Sequence, residues 1–431
     1  MTTIGIVGAG VAGVHLALYL QKHGVAATLY SDRSPDEMRA ARLPASVALM
    51  GATQARDAEL GTNHWSAPEQ GTHQINIRVA GEPPLVISGH PDAPFLFIDM
   101  RVYLPRLMAD LAARGGKIVV APCDAEGVVR LGADHDLVIV ATGRDGLTAM
   151  FPRLPERSPY DAPQRRLCAG LFRGVNAARP FEMEFNIAPG TGEIFVNQFL
   201  MRDGYATVLL FEAIPGGALE PLTHLRYEDD PAAFNATALA AVRDHAPATF
   251  ARIDPAAFAL TGPLDTLHGA IVPTVRRGWA PLGGGTFAMA VGDTHVNNDP
   301  IVGQGANAAS RAAWLLGELV VARARAGGRF DESFCVESEQ QLWESVRPTT
   351  EWTNAFLQPP PPHAISLLVA AAQNQAIADA FVTNFNYPRR QWDVLSSPDA
   401  TAAFIGSFAA APTCSRDAAQ PGHVAGGTGV G

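Results

Sequence analysis

The residue types and spacings that could do chemistry in this chain sit in two glycine turns about 290 residues apart. The first, Gly8-Ala-Gly10-Val-Ala-Gly13, follows a short apolar run, Ile4 to Val7, and opens a stretch of helical apolar period that ends near Gly24. Each glycine has its own task in such a turn. Gly8 permits the tight turn, Gly10 lets the backbone approach a pyrophosphate, and Gly13 lets the helix pack closely on the strand. The free N–H groups at the helix start then face the phosphates. A second apolar run, Ala26 to Tyr30, delivers Asp32, 19 residues past Gly13, where an acid would accept ribose hydroxyl bonds. Ser31 to Asp36 also reads as an ordinary polar turn. Strand, turn, helix, strand and acid in this order predict a bound adenine dinucleotide.

The second turn repeats the logic from the other end of the chain. Thr286 to Val291 reads as a strand delivering Gly292 and Asp293, and Asp299-Pro300-Ile-Val-Gly303-Gln304-Gly305-Ala-Asn307 then opens an amphipathic helix, Ala308 to Arg325. An Asp at a strand end can bond ribityl hydroxyls, and N–H groups from Gly303 to Asn307 can face a ring carbonyl. Two separate turns imply a ligand with two distinct ends, which fits FAD better than NAD. Two arginines are further candidates. Arg42 could pair with a cofactor phosphate or cap a helix end. Arg101, in the first turn of a helix that Asp99 would cap, could reach a pyrophosphate or be merely solvated.

The elements that must position these groups give an α/β chain of several domains. Asp136 to Thr142 is apolar on both faces and so belongs at the centre of a covered sheet. Gln74 to Val79 and Pro84 to Ser88 alternate as hairpin strands do. From Arg166 to about Val272 long alternating strands dominate (181–187, 193–200, 206–212), closed by a helix from Pro231 to His245. We expect a discontinuous nucleotide domain (1–45, 96–165 and 280–330), a β-sheet substrate domain (46–95 and 166–279), a helical lid or brace (331–408) and a disordered tail (409–431).

Composition excludes several classes. At 17% charged and 47% hydrophobic residues, most of the chain should fold. A net charge of −10 without a Lys/Arg cluster argues against nucleic acid. The four cysteines, Cys123, Cys168, Cys335 and Cys414, form no CxxC and have no His at metal spacing, so no metal site is expected. No run reaches the roughly 20 apolar residues of a membrane span. Ala364 to Val382 comes nearest but carries Gln373, Asn374, Gln375 and Asp379. With a glycine turn directly after a four-residue apolar run, nothing resembles a signal peptide, and the expected location is cytoplasmic.

The sequence also resembles the FAD-dependent oxygenase component of two-component styrene and indole monooxygenases, whose architecture is like that of p-hydroxybenzoate hydroxylase. The matching stretches include Ile4 to Gly10, Tyr30 to Glu37, Arg101-Val-Tyr, Asp299 to Asn307, Trp352-Thr-Asn and Asn384-Phe-Asn-Tyr-Pro-Arg-Arg-Gln-Trp-Asp393. That last signature is absent from ordinary single-component hydroxylases. The resemblance implies a Rossmann-type FAD domain and a separate NADH:flavin reductase that hands over reduced FAD. It also implies reaction with O2 to a C4a-hydroperoxide that oxygenates an aromatic alkene or sulfide. Carried over by position, Gly8, Gly10, Gly13, Asp32, Arg42, Arg101, Asp293, Pro300, Gly303, Gln304, Gly305 and Asn307 become flavin contacts. A homodimer is one assembly such a chain could form.

In that family the segment after Arg42 lines the substrate pocket, with Asn-x-Val-x-His in styrene enzymes and Ser-x-Gln-x-Met in indole enzymes. This sequence has Ala45-x-Val47-x-Leu49, which is neither, and Thr72, Ile75 and Phe95 stand at the paired positions; core packing is the competing reading for Val47, Leu49 and Ile75. Epoxidation needs no ionised substrate, so the pocket should be apolar with few titratable groups. The alternatives are a single-component NAD(P)H hydroxylase, for which Asp145-Gly146 is a chance-level hint, a halogenase, which the absence of a Trp-x-Trp pair disfavours, and a flavin-binding protein without activity.

Overall fold

The computed structural model describes residues 2–143 and 146–409. Asp145 of the Asp-Gly pair, Cys414 and all but the first residue of the expected tail lie outside them. Among the described residues two sheets dominate. The first has six strands in the order Trp279–Gly283, Thr286–Ala290, Leu137–Val140, Thr3–Val7, Ala26–Ser31 and Lys117–Val120. All neighbours run parallel except the edge strand Trp279–Gly283.

Alternation along the central strands explains why this sheet is covered on both sides. Ile4, Ile6, Leu137 and Ile139 join the core beneath the helices Val11–Lys22 and Gly305–Arg325. Val7, Val138, Val140, Ala288 and Ala290 point the other way, onto Val128 of the helix Ala125–Asp134. Leu137–Val140 is buried at every position, as its two-faced apolar pattern requires. The crevice at the carboxyl ends of Thr3–Val7 and Leu137–Val140 is where a sheet of this kind binds its ligand.

The second sheet has eight strands and draws on distant segments. Phe181–Ala188 pairs in parallel with Thr72–Val79, which forms a hairpin with Leu85–Gly89. On its other side follow Gly192–Met201, Gly204–Ala213 and Arg166–Arg173, all antiparallel. One face (Phe172, Ile194, Val196, Phe211) is sealed by Phe234, Ala238 and Val242 of the helix Pro231–His245. The opposite face (Ile77, Met183, Phe195, Phe199, Val208, Leu210) packs with the C-terminal helices through Trp352, Phe381 and Phe385. Residues 331–409 are helical, as expected from sequence, but the helices Pro362–Gln373 and Gln375–Thr383 break at Asn374, whose side chain caps the second by accepting from Ala376 N–H at 2.9 Å. The helix Gly51–Leu60, in which Leu60 is the one large apolar residue, was not among the elements expected from sequence.

Candidate active site

The first glycine turn has the geometry its spacing demands. Gly8 takes φ +110°, and a Cβ there would lie 2.4 Å from the Ala141 carbonyl oxygen. A Cβ on Gly13 would lie 1.9 Å from the Gly8 carbonyl oxygen, so only glycine lets this helix approach its strand. At Gly10 the nearest atom stands 3.9 Å away, leaving the turn open toward the crevice.

That opening leads into a cavity of about 390 Å³. Gly10, Val11 and Ala12 line it from one helix start, and Gly303, Gly305 and Ala306 from the other. Neither helix has a side-chain N-cap, so backbone N–H groups of both ends are left to face the cavity. A second groove, lined by Gly8, Ala9, Tyr30 and Asp32, meets the cavity at Ala141 and Thr142. An elongated ligand with a phosphate-rich middle fits this arrangement. Its nucleoside end would lie by Asp32, its pyrophosphate over Gly10, and its ring end at Gly303 to Ala306.

The far wall of the cavity is apolar. Met183, Phe195 and Leu210 come from the eight-stranded sheet, Phe95 and Phe97 from the segment before the Met100–Ala113 helix, and Phe385 from the C-terminal region. Asp293 is the one titratable side chain in the lining formed by the described residues. Asn197 is the one polar side chain the sheet contributes, and its buried Oδ1 has no hydrogen-bond partner among the described residues.

The structure brings Ala45, Val47, Phe95, Asp293, Pro300, Gly303 and Gly305 to this cavity and Gly8 and Asp32 to the groove. Leu49 is fully buried in the core beneath the nucleotide sheet, and Ile75 in the core of the other sheet. Thr72 is held by the bridge to Phe95 at 2.8 Å. None of these three lines the cavity: in the short strand Ala48–Leu49 alternation turns Leu49 away from the side on which Ala48 lines it, whereas Ile75 shares the sheet face of its cavity-lining partner Met183 and is buried in the core that face makes with the C-terminal helices. Asn307 and Gln304 act as clamps. Asn307 accepts from Met50 N–H at 2.9 Å and from Thr53 Oγ1 at 2.7 Å and donates to the Ala48 carbonyl at 2.9 Å. Gln304 donates to the Phe385 carbonyl at 2.8 Å. Arg101 pairs with Asp99 and Asp265 at 2.7 and 2.8 Å, and Arg42 pairs with Glu228 and donates to the Pro263 carbonyl at 3.1 Å. In this conformation both arginines stand outside the cavity lining.

Sequence spacing did not place Phe385 in the site. Its neighbour Asn386 fixes it there, accepting from Gly51 N–H at 2.8 Å and donating to Asp92 at 2.7 Å. The Trp352 ring packs edge-on against Phe385 at 5.0 Å. The Asn384–Asp393 signature thus forms part of the cavity wall.

Two proteins named styrene monooxygenase StyA, from Pseudomonas fluorescens and a Pseudomonas species, are each 40% identical over 94% of this chain and 98% of their own length. The chain belongs to the styrene monooxygenase family. A family model described as the styrene monooxygenase A putative substrate binding domain matches residues 143–252. These residues include the strands that build the apolar wall. This styrene monooxygenase homologue is a flavin-dependent monooxygenase of the p-hydroxybenzoate hydroxylase-like fold, as the resemblance implied. Its fold is similar to that of the flavin-dependent brominase Bmp2, with a TM-score of 0.66 at 14% identity, covering 95% of this chain and 98% of that one. A flavoprotein/dehydrogenase from Cytophaga hutchinsonii aligns at 0.65 and 13% identity, covering 95% and 98%. At these identities the likeness concerns the fold alone. Among the described residues no helix is long and apolar enough to cross a membrane, and no group of three metal-ligating side chains occurs.

Proposed function

We propose that this chain is the oxygenase half of a two-component system that accepts reduced FAD from a separate NADH:flavin reductase. It then oxygenates neutral aromatic substrates such as styrene-like alkenes, indole or aryl sulfides. Reduced FAD supplies the electrons that split O2, one oxygen going to the substrate and the other leaving as water. The chain's own residues hold the ends of the cofactor at two helix N-termini, line the substrate wall with apolar side chains and exclude water. The observation that carries this reading is the apolar wall of Phe95, Phe97, Met183, Phe195, Leu210 and Phe385, on which no acid or base stands among the described residues. Hydroxylating a phenol calls for a base to form the phenolate, whereas an electron-rich double bond or sulfide needs none.

A product screen of the purified chain with styrene, indole and thioanisole, supplied with FADH2 from any reductase, tests the proposal. Epoxide or sulfoxide should appear, and the chain alone should not oxidise NADH. Substrate-stimulated NAD(P)H oxidation by the chain alone would instead establish a single-component hydroxylase.

A further inference from the structure

On the sheet face that forms the apolar wall, two positions beyond the cavity are carboxylates. Glu193 and Glu212 stand directly opposite each other in the antiparallel register and are 5% and 0% exposed. Like charges so placed destabilise a strand pair. Arg165 answers only one of them: its Nε and Nη2 donate to Glu193 at 2.7 and 2.9 Å, and its Nη1 donates to the Gln164 carbonyl at 2.9 Å. Among the described residues none donates a hydrogen bond to either oxygen of Glu212 or to Oδ2 of Asp299, which is 2% exposed and in side-chain contact with Glu212. Asp299 Oδ1 accepts from Ile301 N–H at 3.1 Å and so caps the turn Pro300–Val302.

One guanidinium cannot neutralise three buried carboxylates, and leaving two uncompensated charges in the interior costs far more than moving a proton. A carboxylic acid O–H donated from one member to the other removes a charge and satisfies an orphaned acceptor at once. We propose that Glu212 and Asp299 share one proton, and that this bond latches the cavity-lining turn Asn298 to Gly305 onto the substrate-facing sheet. Asp299 lies between Asn298 and Pro300, both in the cavity wall, so the latch sets the position of the second helix N-terminus. Glu212 and Asp299 line no part of the cavity; they are positioning residues.

Arg165 and Glu193 are the charged groups facing the pair. Burial raises Glu212 well above the ordinary carboxylate range, and burial likewise raises Asp299 from 3.8 to about 7, Arg165 and the Ile301 N–H opposing. The native state therefore keeps a proton that the unfolded chain gives up. The stability this proton contributes is complete below about pH 4 and is lost as pH rises through the raised pKa of the pair, above about pH 7.

Infrared spectroscopy of the ligand-free protein at about pH 6 tests the proton. A protonated-carboxyl C=O band should be present in the wild type and absent in Glu212→Gln, whose amide N–H takes the place of the shared proton and keeps the latch closed. FAD binding, followed by flavin fluorescence, tests the latch. Wild-type affinity should fall about 10-fold from about pH 6 to about pH 8.5, and that of Glu212→Gln less than about 2-fold. No band in the wild type, or a band that survives in Glu212→Gln, overturns the shared proton. A band with equal pH dependence of affinity in both proteins overturns the latch. Should Glu212→Gln not fold, Asp299→Asn makes the same exchange with donor and acceptor reversed and is read in the same way. Only the second measurement rests on the FAD reading. Failure of FAD to bind at any pH counts against the proposed cofactor and overturns the latch's role in seating it, while the band still decides the proton.

Discussion

At the scale of single residues, Asn197 bears most directly on substrate choice. An unpaired carboxamide oxygen in an otherwise apolar wall is costly unless a ligand donates to it, as an indole N–H can and a styrene cannot. Asn197→Leu should lower the kcat/KM ratio of indole to styrene by about 3- to 10-fold, with thermal stability unchanged or raised. An unchanged ratio would show that Asn197 does not meet the substrate. His295 supports a prediction about acid stability. Burial, and secondarily Arg157, depress it from 6.5 to about 4, so the folded state holds it neutral. Its contribution is complete above about pH 6.5 and is lost as pH falls toward about 4. The melting temperature should drop over that window, and His295→Gln should drop less. Leu49 shows what sequence position alone conceals. Counted along the chain it belongs to a pocket pattern, yet it is fully buried in the core. Leu49→His should therefore cost stability, by about 2–4 kcal/mol in a denaturant titration, and leave product ratios unchanged.

At the scale of elements, the two glycine turns make separable predictions. Gly13→Ala puts a methyl into the Gly8 carbonyl and should prevent the turn from forming, seen as a large loss of soluble protein. Gly10→Ala meets only one atom at 3.9 Å, so the fold should hold while the methyl obstructs the cofactor's path. FAD affinity should fall with the melting temperature within about 2 °C of wild type; a matching loss of stability would argue against this division of roles. Most elements were legible because strands such as Leu137–Val140 are apolar on both faces and the helix Pro231–His245 carries an N-cap, a proline and a clear stop. The helix Gly51–Leu60 escaped because tertiary contacts stabilise it in place of an apolar stripe. Its Asp57 meets Tyr103 Oη at 2.9 Å, Tyr103 meets His15 Nε2 at 2.8 Å, and His15 Nδ1 meets Ser310 Oγ at 3.0 Å, tying four helices together in the buried core. Tyr103→Phe should cost about 1–3 kcal/mol of unfolding free energy through the acceptors it orphans.

At the scale of the whole molecule, the C-terminal helices complete the site. Trp352, Phe381 and Phe385 share one core with Ile77, Phe195 and Leu210 of the sheet. A chain ending after residue 330 should therefore aggregate, judged by size-exclusion chromatography, instead of yielding a monomer with the cavity merely uncovered. The sequence by itself determined what local chemistry dictates: where strands and helices form, which glycines must make turns, and, from signatures at both ends, which family the chain joins. It could not determine which side chains meet. Phe385 reaches the cavity because Asn386 bonds to Gly51 and Asp92, and Glu212 meets Asp299 because a sheet and a turn from distant segments pack together. Burial, and with it the protonation of a carboxyl or the cost of an unpaired amide, belongs to those long-range contacts. Only the tertiary structure decided it, because the dielectric around a group is set by whatever the rest of the chain brings against it.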